Sequence, residues 1–479
     1  MKHSLASLAL HLEAEGPSYY QQLIDQIKAA LVTGRLKPGD KLPSSRQLSM
    51  ALGVSRSTVS RAYDQLLAEG IVLSEPKRGL FATELIQSQA PQRPAQPGKE
   101  AKAHPLLRCD SGVDTEAFPA REWAASLRRS WLKPDKRLLA GAYRTGYPPL
   151  KIAIADYLYR LRGLHCSPEQ VFVTGGNRDS LTIVQHCLDN LAPEAQWWLE
   201  NPTYPPIRAL LSSRQGGLES LAIDNEGVLL PPERSTPQVA LLTPNRQYPL
   251  GISLSTSRRQ AWLRALQERP LWLIEDDYDN EFVYQGRMGM PLMQADSNDR
   301  TFLVGSFSKV MFRGLRLGFV VVPASHCDAF SKAQQQLGAS ASLPIQPALA
   351  DFMASGQFDR HLNRMRRHYR LKRDKLTALL EAHLSESLDW TTPTGGMHIN
   401  LLFKPDRVAQ QPAGLRDQAI ADRLHRQGVD VETLSKHYDS AESAQQGFLL
   451  GFSNPDEQTM LKVIESLAAE LKGDSAASG

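Results

Sequence analysis

Gly305-Ser306-Phe307-Ser308-Lys309 closes a short apolar run that begins Thr301-Phe302-Leu303-Val304, and Arg316 follows seven residues after the lysine. Upstream, Leu271-Trp272-Leu273-Ile274-Glu275 runs into Asp276-Asp277-Tyr278-Asp279. Both are strand-length apolar runs that end in polar or small residues. Residues 171–174, 195–200 and 239–243 repeat the pattern, and segments with helical periodicity lie between several of these runs. Such alternation predicts an α/β sheet covered on both faces. Ligands of these sheets sit beyond the carboxyl ends of the strands. Gly175-Gly176, Glu200-Asn201-Pro202, Asp276 and Ser306 all fall there.

The residues at those ends suit pyridoxal phosphate (PLP). That cofactor needs an amine for an imine, an acid for its pyridine nitrogen and a donor for its phenolate oxygen, together with a stacking face and a phosphate cradle. Lys309 supplies an amine, although a lone Ser-x-x-Lys is equally at home as a solvated lysine. Asp276 can keep the pyridine nitrogen protonated through its charge. The acidic run 276–279 also suits a solvated loop. A metal is not expected, because no histidine or further carboxylate spacing supports one. Tyr278 can donate to the phenolate. Tyr204, in Asn201-Pro202-Thr203-Tyr204-Pro205, suits either ring stacking or the core. Gly176-Asn177 follows a strand and opens a helix, so its backbone N–H groups can hold a phosphate. Ser306, Ser308 and Arg316 add hydroxyls and a cation to that task.

The amino-terminal segment has another character. Residues 19–33 have helical spacing with Leu23, Ile27, Ala30 and Leu31 on one face. After the turn-rich Lys37-Pro38-Gly39-Asp40-Lys41-Leu42-Pro43, Ser44 or Ser45 can cap a helix over 46–52. Gly53-Val54 makes a tight turn, and Ser55 can cap a second helix over 56–69. This is a helix-turn-helix pattern. The second helix offers Ser55, Arg56, Ser57, Thr58 and Arg61 to base edges and phosphates, with Arg46 nearby on the first. Lys77-Arg78-Gly79 sits at the tip of a candidate hairpin and makes a basic wing. Residues 1–85 hold ten Lys or Arg against eight Asp or Glu, so charge alone does not separate a DNA reader from a plain three-helix module. The run from Gly34-Arg35-Leu36-Lys37-Pro38-Gly39-Asp40-Lys41-Leu42-Pro43-Ser44-Ser45-Arg46 through Leu52-Gly53-Val54-Ser55-Arg56-Ser57-Thr58-Val59 closely resembles the winged-helix domain of the GntR family, which implies binding to double-stranded operator DNA.

Between Gln87 and Pro105 the chain has almost no large apolar side chain and many Pro and Gln residues. It cannot bury enough surface to offset its entropy and reads as a linker over 87–106. As a coil of about 19 residues it would span roughly 25 Å. The expected organisation is therefore a reader at 1–86, the linker, a large domain at 107–473 and a disordered tail at 474–479. The 479-residue chain carries 42% hydrophobic and 22% charged residues, with a formal net charge of only +4. It holds no apolar run of about 18 residues, so no membrane span is expected. The weakly apolar start has no cleavage-site pattern. Four dispersed cysteines fit a reducing cytoplasm.

The order strand, Gly-Gly, helix, Asp-x-Tyr, Ser-x-x-Lys, Arg is similar to that of fold-type I aminotransferases. With the winged helix in front, the chain resembles the MocR family of bacterial regulators. Ile274-Glu275-Asp276-Asp277-Tyr278-Asp279-Asn280-Glu281-Phe282 and Gly305-Ser306-Phe307-Ser308-Lys309, with Leu315-Arg316-Leu317-Gly318, carry the resemblance most sharply. It implies Lys309 as the imine lysine, Asp276 at the pyridine nitrogen, Tyr278 at the phenolate and Tyr204 on the ring. Gly176, Asn177, Ser306, Ser308 and Arg316 are then at the phosphate, and Tyr248 lies in the cofactor-binding set. It further implies a cytoplasmic, head-to-tail homodimer.

Three departures bear on function. Asn245-Arg246-Gln247 replaces the usual Ser-His-Gln before Tyr248-Pro249-Leu250-Gly251. Arg178-Asp179 replaces paired glutamines. Leu449, in Phe448-Leu449-Leu450-Gly451-Phe452, stands where aminotransferases commonly carry the arginine that clamps a substrate carboxylate; Arg246 or Arg178 are the cations that can stand in. The expected function is a transcription regulator that senses PLP (vitamin B6) or an amino compound through Lys309. An active aminotransferase with a tethered reader, and a constitutive DNA binder with structural PLP, are the rivals. Arg360, Arg364, Arg366, Arg367, Arg370, Lys372, Arg373 and Lys375 crowd one helical segment, either as a solvated face or as an accessory DNA surface.

Overall fold

The computed structural model describes residues 10–13, 16–83, 106–214, 217–287, 289–404 and 416–476. The expected linker at 87–106 lies outside them except for its last residue. The chain divides into two compact units, Met1–Ala103 and His104–Gly479.

The first unit packs α1 (Tyr19–Val32), α2 (Ser45–Leu52) and α3 (Arg56–Ala68) with a hairpin of β1 (Val72–Glu75) and β2 (Gly79–Ala82). Leu23, Ile27 and Ala30 of α1 meet Val59, Ala62, Tyr63 and Leu66 of α3 in one core. Ser44 caps α2: the Gln47 N–H donates to its hydroxyl at 3.3 Å while Gln47 Oε1 accepts from the Ser44 N–H. Ser45 is thus the first helical residue rather than the cap. Gly53 ends α2 at φ +66°, a left-handed conformation that glycine adopts without strain and that turns the chain into α3.

The second unit runs β3 (Leu107–Arg108), α4 (Ala120–Trp131), α5 (Lys136–Leu139), α6 (Pro148–Arg162), β4 (Val171–Thr174), α7 (Asn177–Leu191), β5 (Gln196–Asn201), α8 (Pro205–Ser212), β6 (Leu218–Asp224), β7 (Gly227–Val228), β8 (Gln238–Leu242) and α9 (Thr256–Glu268). It continues with β9 (Leu271–Asp276), β10 (Thr301–Ser306), β11 (Gly318–Val321), α10 (Cys327–Gln336), α11 (Gln346–Ala354), α12 (Gln357–His383), β12 (Leu388–Trp390), β13 (His398–Phe403), β14 (Val429–Asp430), β15 (Glu432–Thr433) and β16 (Gly447–Gly451). A helix over Glu457–Ala476 follows, so the helix persists past the expected start of a tail at 474.

The main sheet has the order β4-β11-β10-β9-β8-β5-β6-β7. The central strands β10, β9, β8, β5 and β6 are parallel, and β11 is antiparallel to both its neighbours. Helices cover both faces, which is why β8 and β9 read as unbroken apolar runs. A smaller antiparallel sheet, β12-β13-β16-β15, completes the unit. The expected α/β architecture is therefore present, with the parallel strands ending together on the side where the polar motifs lie.

Candidate functional site

At the carboxyl end of β9, Asp276 is buried and accepts from the Asn177 amide at 2.9 and 3.1 Å. Burial pushes its carboxyl up to about 7, against the lowering effect of that bond. Asn177 opens α7, and its side chain is committed to Asp276 rather than to the turn in front of it. Gly176 precedes it at φ +111°, with open space where a Cβ would stand. Gly318 of β11 presses on that turn, since a Cβ there would lie 2.9 Å from Gly305 O and 3.0 Å from Gly176 Cα.

Two residues further on, the Tyr278 hydroxyl is buried and has no hydrogen-bond partner. Its ring meets the edge of Tyr248 at 5.6 Å, and Tyr248 also meets Tyr204, His398 and His437 at 5.5, 5.5 and 5.3 Å. Tyr204 is 47% exposed, so it is not a core aromatic. It stands at the N-cap of α8, beside the cleft.

Lys309 follows β10. Its Nζ donates to the Ser111 carbonyl at 2.7 Å and lies 3.2 Å from the Ser111 hydroxyl. Burial draws its ammonium below the ordinary lysine range, and Asp279 partly opposes this. Ser306 and Ser308 share a hydroxyl contact of 3.1 Å. Arg316 adopts a left-handed φ of +51° and its side chain is exposed.

The structure adds one group that the sequence did not single out and places several that it did. Ser111 sits 198 residues before Lys309 and carried no motif. Asp279 lies 3.4 Å from Arg246 Nε, and both are buried. Gly395 and Gly396 make room for that arginine, because a Cβ on Gly395 would stand 2.1 Å from Arg246 Nη2. His398 donates its Nε2–H to Pro249 O at 2.9 Å, and burial lowers the ring to about 4, so it is neutral at physiological pH. Leu449 is buried on β16, directly opposite Asn400 and Glu432 on the flanking strands. Arg178, the other candidate cation, is exposed on α7.

A half-buried amine, a carboxylate at a strand end, an orphaned phenol and a glycine turn at a helix start converge on one cleft. An unpaired buried hydroxyl is costly unless a ligand completes it. The donor set fits PLP. Among the described residues no cluster suits a metal ion, and no helix is long and apolar enough to cross a membrane.

In the first unit, Ser55 caps α3 by accepting from the Thr58 N–H at 3.1 Å, and its hydroxyl also lies 2.8 Å from those of Ser57 and Thr58. Arg56 donates to Ser45 at 3.3 Å, and Arg61 stacks on Tyr20 at 4.3 Å. Arg46 is exposed. Lys77 takes φ +63° at the hairpin tip, Arg78 pairs with Glu75, and Gly79 approaches Lys41 closely. The first turn of α3 and the wing therefore present hydroxyls and cations with no free acid among them.

Residues 19–81 match the family of bacterial regulatory proteins named gntR, and residues 114–443 match aminotransferase class I and II. Over nearly their whole lengths two named regulators are similar to this chain. The probable rhizopine catabolism regulatory protein MocR of Rhizobium meliloti is 33% identical, covering 96% of this chain and 95% of that protein. The pyridoxine biosynthesis transcriptional regulator PdxR of Corynebacterium glutamicum is 34% identical, covering 97% and 98%. Among solved structures, the multiple substrate aminotransferase of Thermococcus profundus superposes with a TM-score of 0.67 at 19% identity, over 78% of this chain and 93% of that one. The α-aminoadipate aminotransferase LysN of Thermus thermophilus gives 0.66 at 22%, over 78% and 93%. A gntR-type reader joined to an aminotransferase-like domain along the full length of such relatives places the chain in the MocR family of DNA-binding transcription regulators.

Proposed function

We propose that this regulator binds PLP through Lys309 and transmits the state of that site to operator DNA. The observation that carries the reading is the half-buried Lys309 amine in the same cleft as the unpaired Tyr278 hydroxyl and the Asp276 carboxylate. Lys309 would hold the cofactor covalently, Asp276 its pyridine nitrogen, and Tyr278 its phenolate oxygen. Tyr204 and Tyr248 would line the ring. The Gly176-Asn177 turn, Ser306, Ser308 and Arg316 would take the phosphate. When bound, PLP supplies an aldehyde carbon that condenses with primary amines. The chain's own residues would orient it: Asp276 would fix the ring nitrogen, and burial lowers the basicity of Lys309.

Two signals fit this cleft, PLP itself and an amino compound that takes the place of Lys309 on the aldehyde. Leu449 favours PLP or an amine without an α-carboxylate, since no arginine clamps a carboxylate at that position. The name of the relative PdxR, a pyridoxine biosynthesis regulator, points toward vitamin B6. A cytoplasmic homodimer, two readers on one operator, would convert a change in either cleft into a change in operator affinity. Turnover as an aminotransferase is the lesser reading, for want of the clamp.

The test is operator footprinting with apo protein, with and without added PLP, followed by addition of amines. A visible absorbance band that borohydride bleaches while leaving PLP permanently attached to the parent, but that is absent from Lys309→Ala, identifies the attachment. Footprints unchanged by PLP would sink the B6-sensor version.

A further inference from the structure

The long helix α12 carries a feature that the ligand cleft does not use. Its inner stripe, with Phe358, Leu362, Met365, Tyr369, Leu376 and Leu380, is core. On the outer side, Arg360, Arg364 and Arg367 fall within about 60° of one another around the axis at ~100° per residue, with Arg370 at the edge. All four are exposed. None forms an ion pair among the described residues: Arg360 donates to Ser355 O and Gln357, and Arg364 donates to Ala117 O. Other charges near by are spoken for. Lys372 pairs with Asp114, Arg373 with Asp374, Lys375 with Glu457, and Asp359 with Arg160. Glu116 and Glu122 line a surface cavity beside Arg364 together with Arg121.

We propose that this arginine ridge is a second DNA-contacting surface, which takes phosphates of the duplex flanking the sequence read by α3. The inference rests on DNA binding by the reader and is independent of what the cleft holds. The chain's net charge is only +4, so four exposed arginines without an ion-pair partner among the described residues, along about 15 Å of helix, are a strong local concentration of positive charge. That length matches the axial rise of four to five phosphates on one strand. Guanidinium groups suit phosphate oxygens better than ammonium groups do. The ridge need not bind tightly. Once a reader in the same chain is on DNA, neighbouring duplex is present at an effective concentration of order mM, enough to occupy a contact with a Kd of that order. Base identity plays no part in such a contact, which adds affinity and favours DNA that bends toward the protein.

The test uses the full chain and mixed-sequence duplexes of about 15 and about 60 base pairs, with affinity measured across a salt series. For the parent, log K should fall more steeply with log salt on the long duplex, by about 0.9 for each phosphate contacted through the ridge. The triple variant Arg360→Gln/Arg367→Gln/Arg370→Gln should lose that excess slope and bind the long duplex about tenfold more weakly at low salt. Its affinity for the short duplex and its PLP absorbance should not change. Replacing the same residues by Lys should retain the slope, which separates lost charge from a damaged fold. An unchanged slope on the long duplex overturns the proposal. So does an equal loss on both duplexes, or a change in oligomeric state, which would make the ridge a contact between copies of this chain.

Discussion

Asn177 opens α7 and Asp276 closes β9, and the amide of the first donates to both carboxylate oxygens of the second at 2.9 and 3.1 Å. The contact aims an acid into the cleft and leaves it without a cation. Burial then holds that acid near neutrality, at about 7. A protonated ring nitrogen would relieve this desolvation, and the arrangement is thus more favourable with PLP than without.

That imbalance has a pH signature. The folded carboxyl of Asp276 lies above its unfolded value of about 3.9. Folding therefore takes up a proton between about pH 4 and 7, and the cost of the charged acid is absent at pH 4 and complete above 7. Without PLP, Asp276→Asn should melt about 2–4 °C higher than the parent at pH 8 for each kcal/mol relieved, with the gap closing toward pH 4. With PLP the sign reverses. Loss of a charge-assisted bond should weaken PLP binding by about 10–100-fold, read by absorbance titration. A pH-independent melting gap would remove burial as the cause.

The phosphate turn makes a separate prediction. Gly318→Ala would bring a Cβ to 2.9 Å from Gly305 O and 3.0 Å from Gly176 Cα, both backbone atoms that cannot step aside cheaply. The turn before α7 should shift, and PLP affinity should fall at least about tenfold, the effect of roughly 1.4 kcal/mol. Pyridoxal, which lacks the phosphate, should bind the variant and the parent alike. Equal losses for both compounds would place the damage in the ring site instead.

These two contacts also mark where sequence reading succeeds and stops. Asp276, Tyr278 and Lys309 are legible as candidates because each lies at or just past the end of a strand buried on both faces, whose apolar run announces its own end. The strand β6 is not legible in this way, since it is largely exposed and lacks such a run. Ser111 could not be paired with Lys309, because only the tertiary fold brings residues 198 apart together. Arg246 was visible as a departure from a motif, but its burial beside Asp279 depends on the space left by Gly395 and Gly396. Asn177 was placed at the phosphate turn by position, while its side chain answers to Asp276.

In the reader, Ser55 joins local structure to recognition. Its hydroxyl accepts from the Thr58 N–H and contacts the hydroxyls of Ser57 and Thr58 at the start of α3. Ser55→Ala should destabilise this helix by about 0.5–2 kcal/mol. Operator affinity should drop, and thermal unfolding of the reader should move down by a few degrees, while the PLP absorbance of the large domain stays as in the parent. Ser55→Asp, which keeps the cap, should restore stability but not affinity, because it sets a negative charge against phosphate.

Leu449 offers the sharpest handle on the effector. Its backbone lies in register with Asn400 on one side and Glu432 on the other, inside the small sheet that faces the cleft. Glu432 is held well below the ordinary carboxylate range, at about 2, chiefly by His437 and Lys436 against the opposing effect of burial. It is therefore a standing negative charge beside the place where a substrate carboxylate would otherwise be clamped. Lys436 offsets that charge at 3.1 Å, so an α-amino acid chiefly meets a missing partner there. Leu449→Arg supplies the cation. It should raise the affinity of the PLP-loaded protein for α-amino acids by about 10–100-fold, the range of one charge-assisted bidentate contact. The measurement is the spectral shift on amino-acid titration, with a carboxylate-free amine as control. If the parent already binds α-amino acids as tightly as the variant does, Arg246 must be serving as the clamp, and Arg246→Leu in the parent should then abolish that binding.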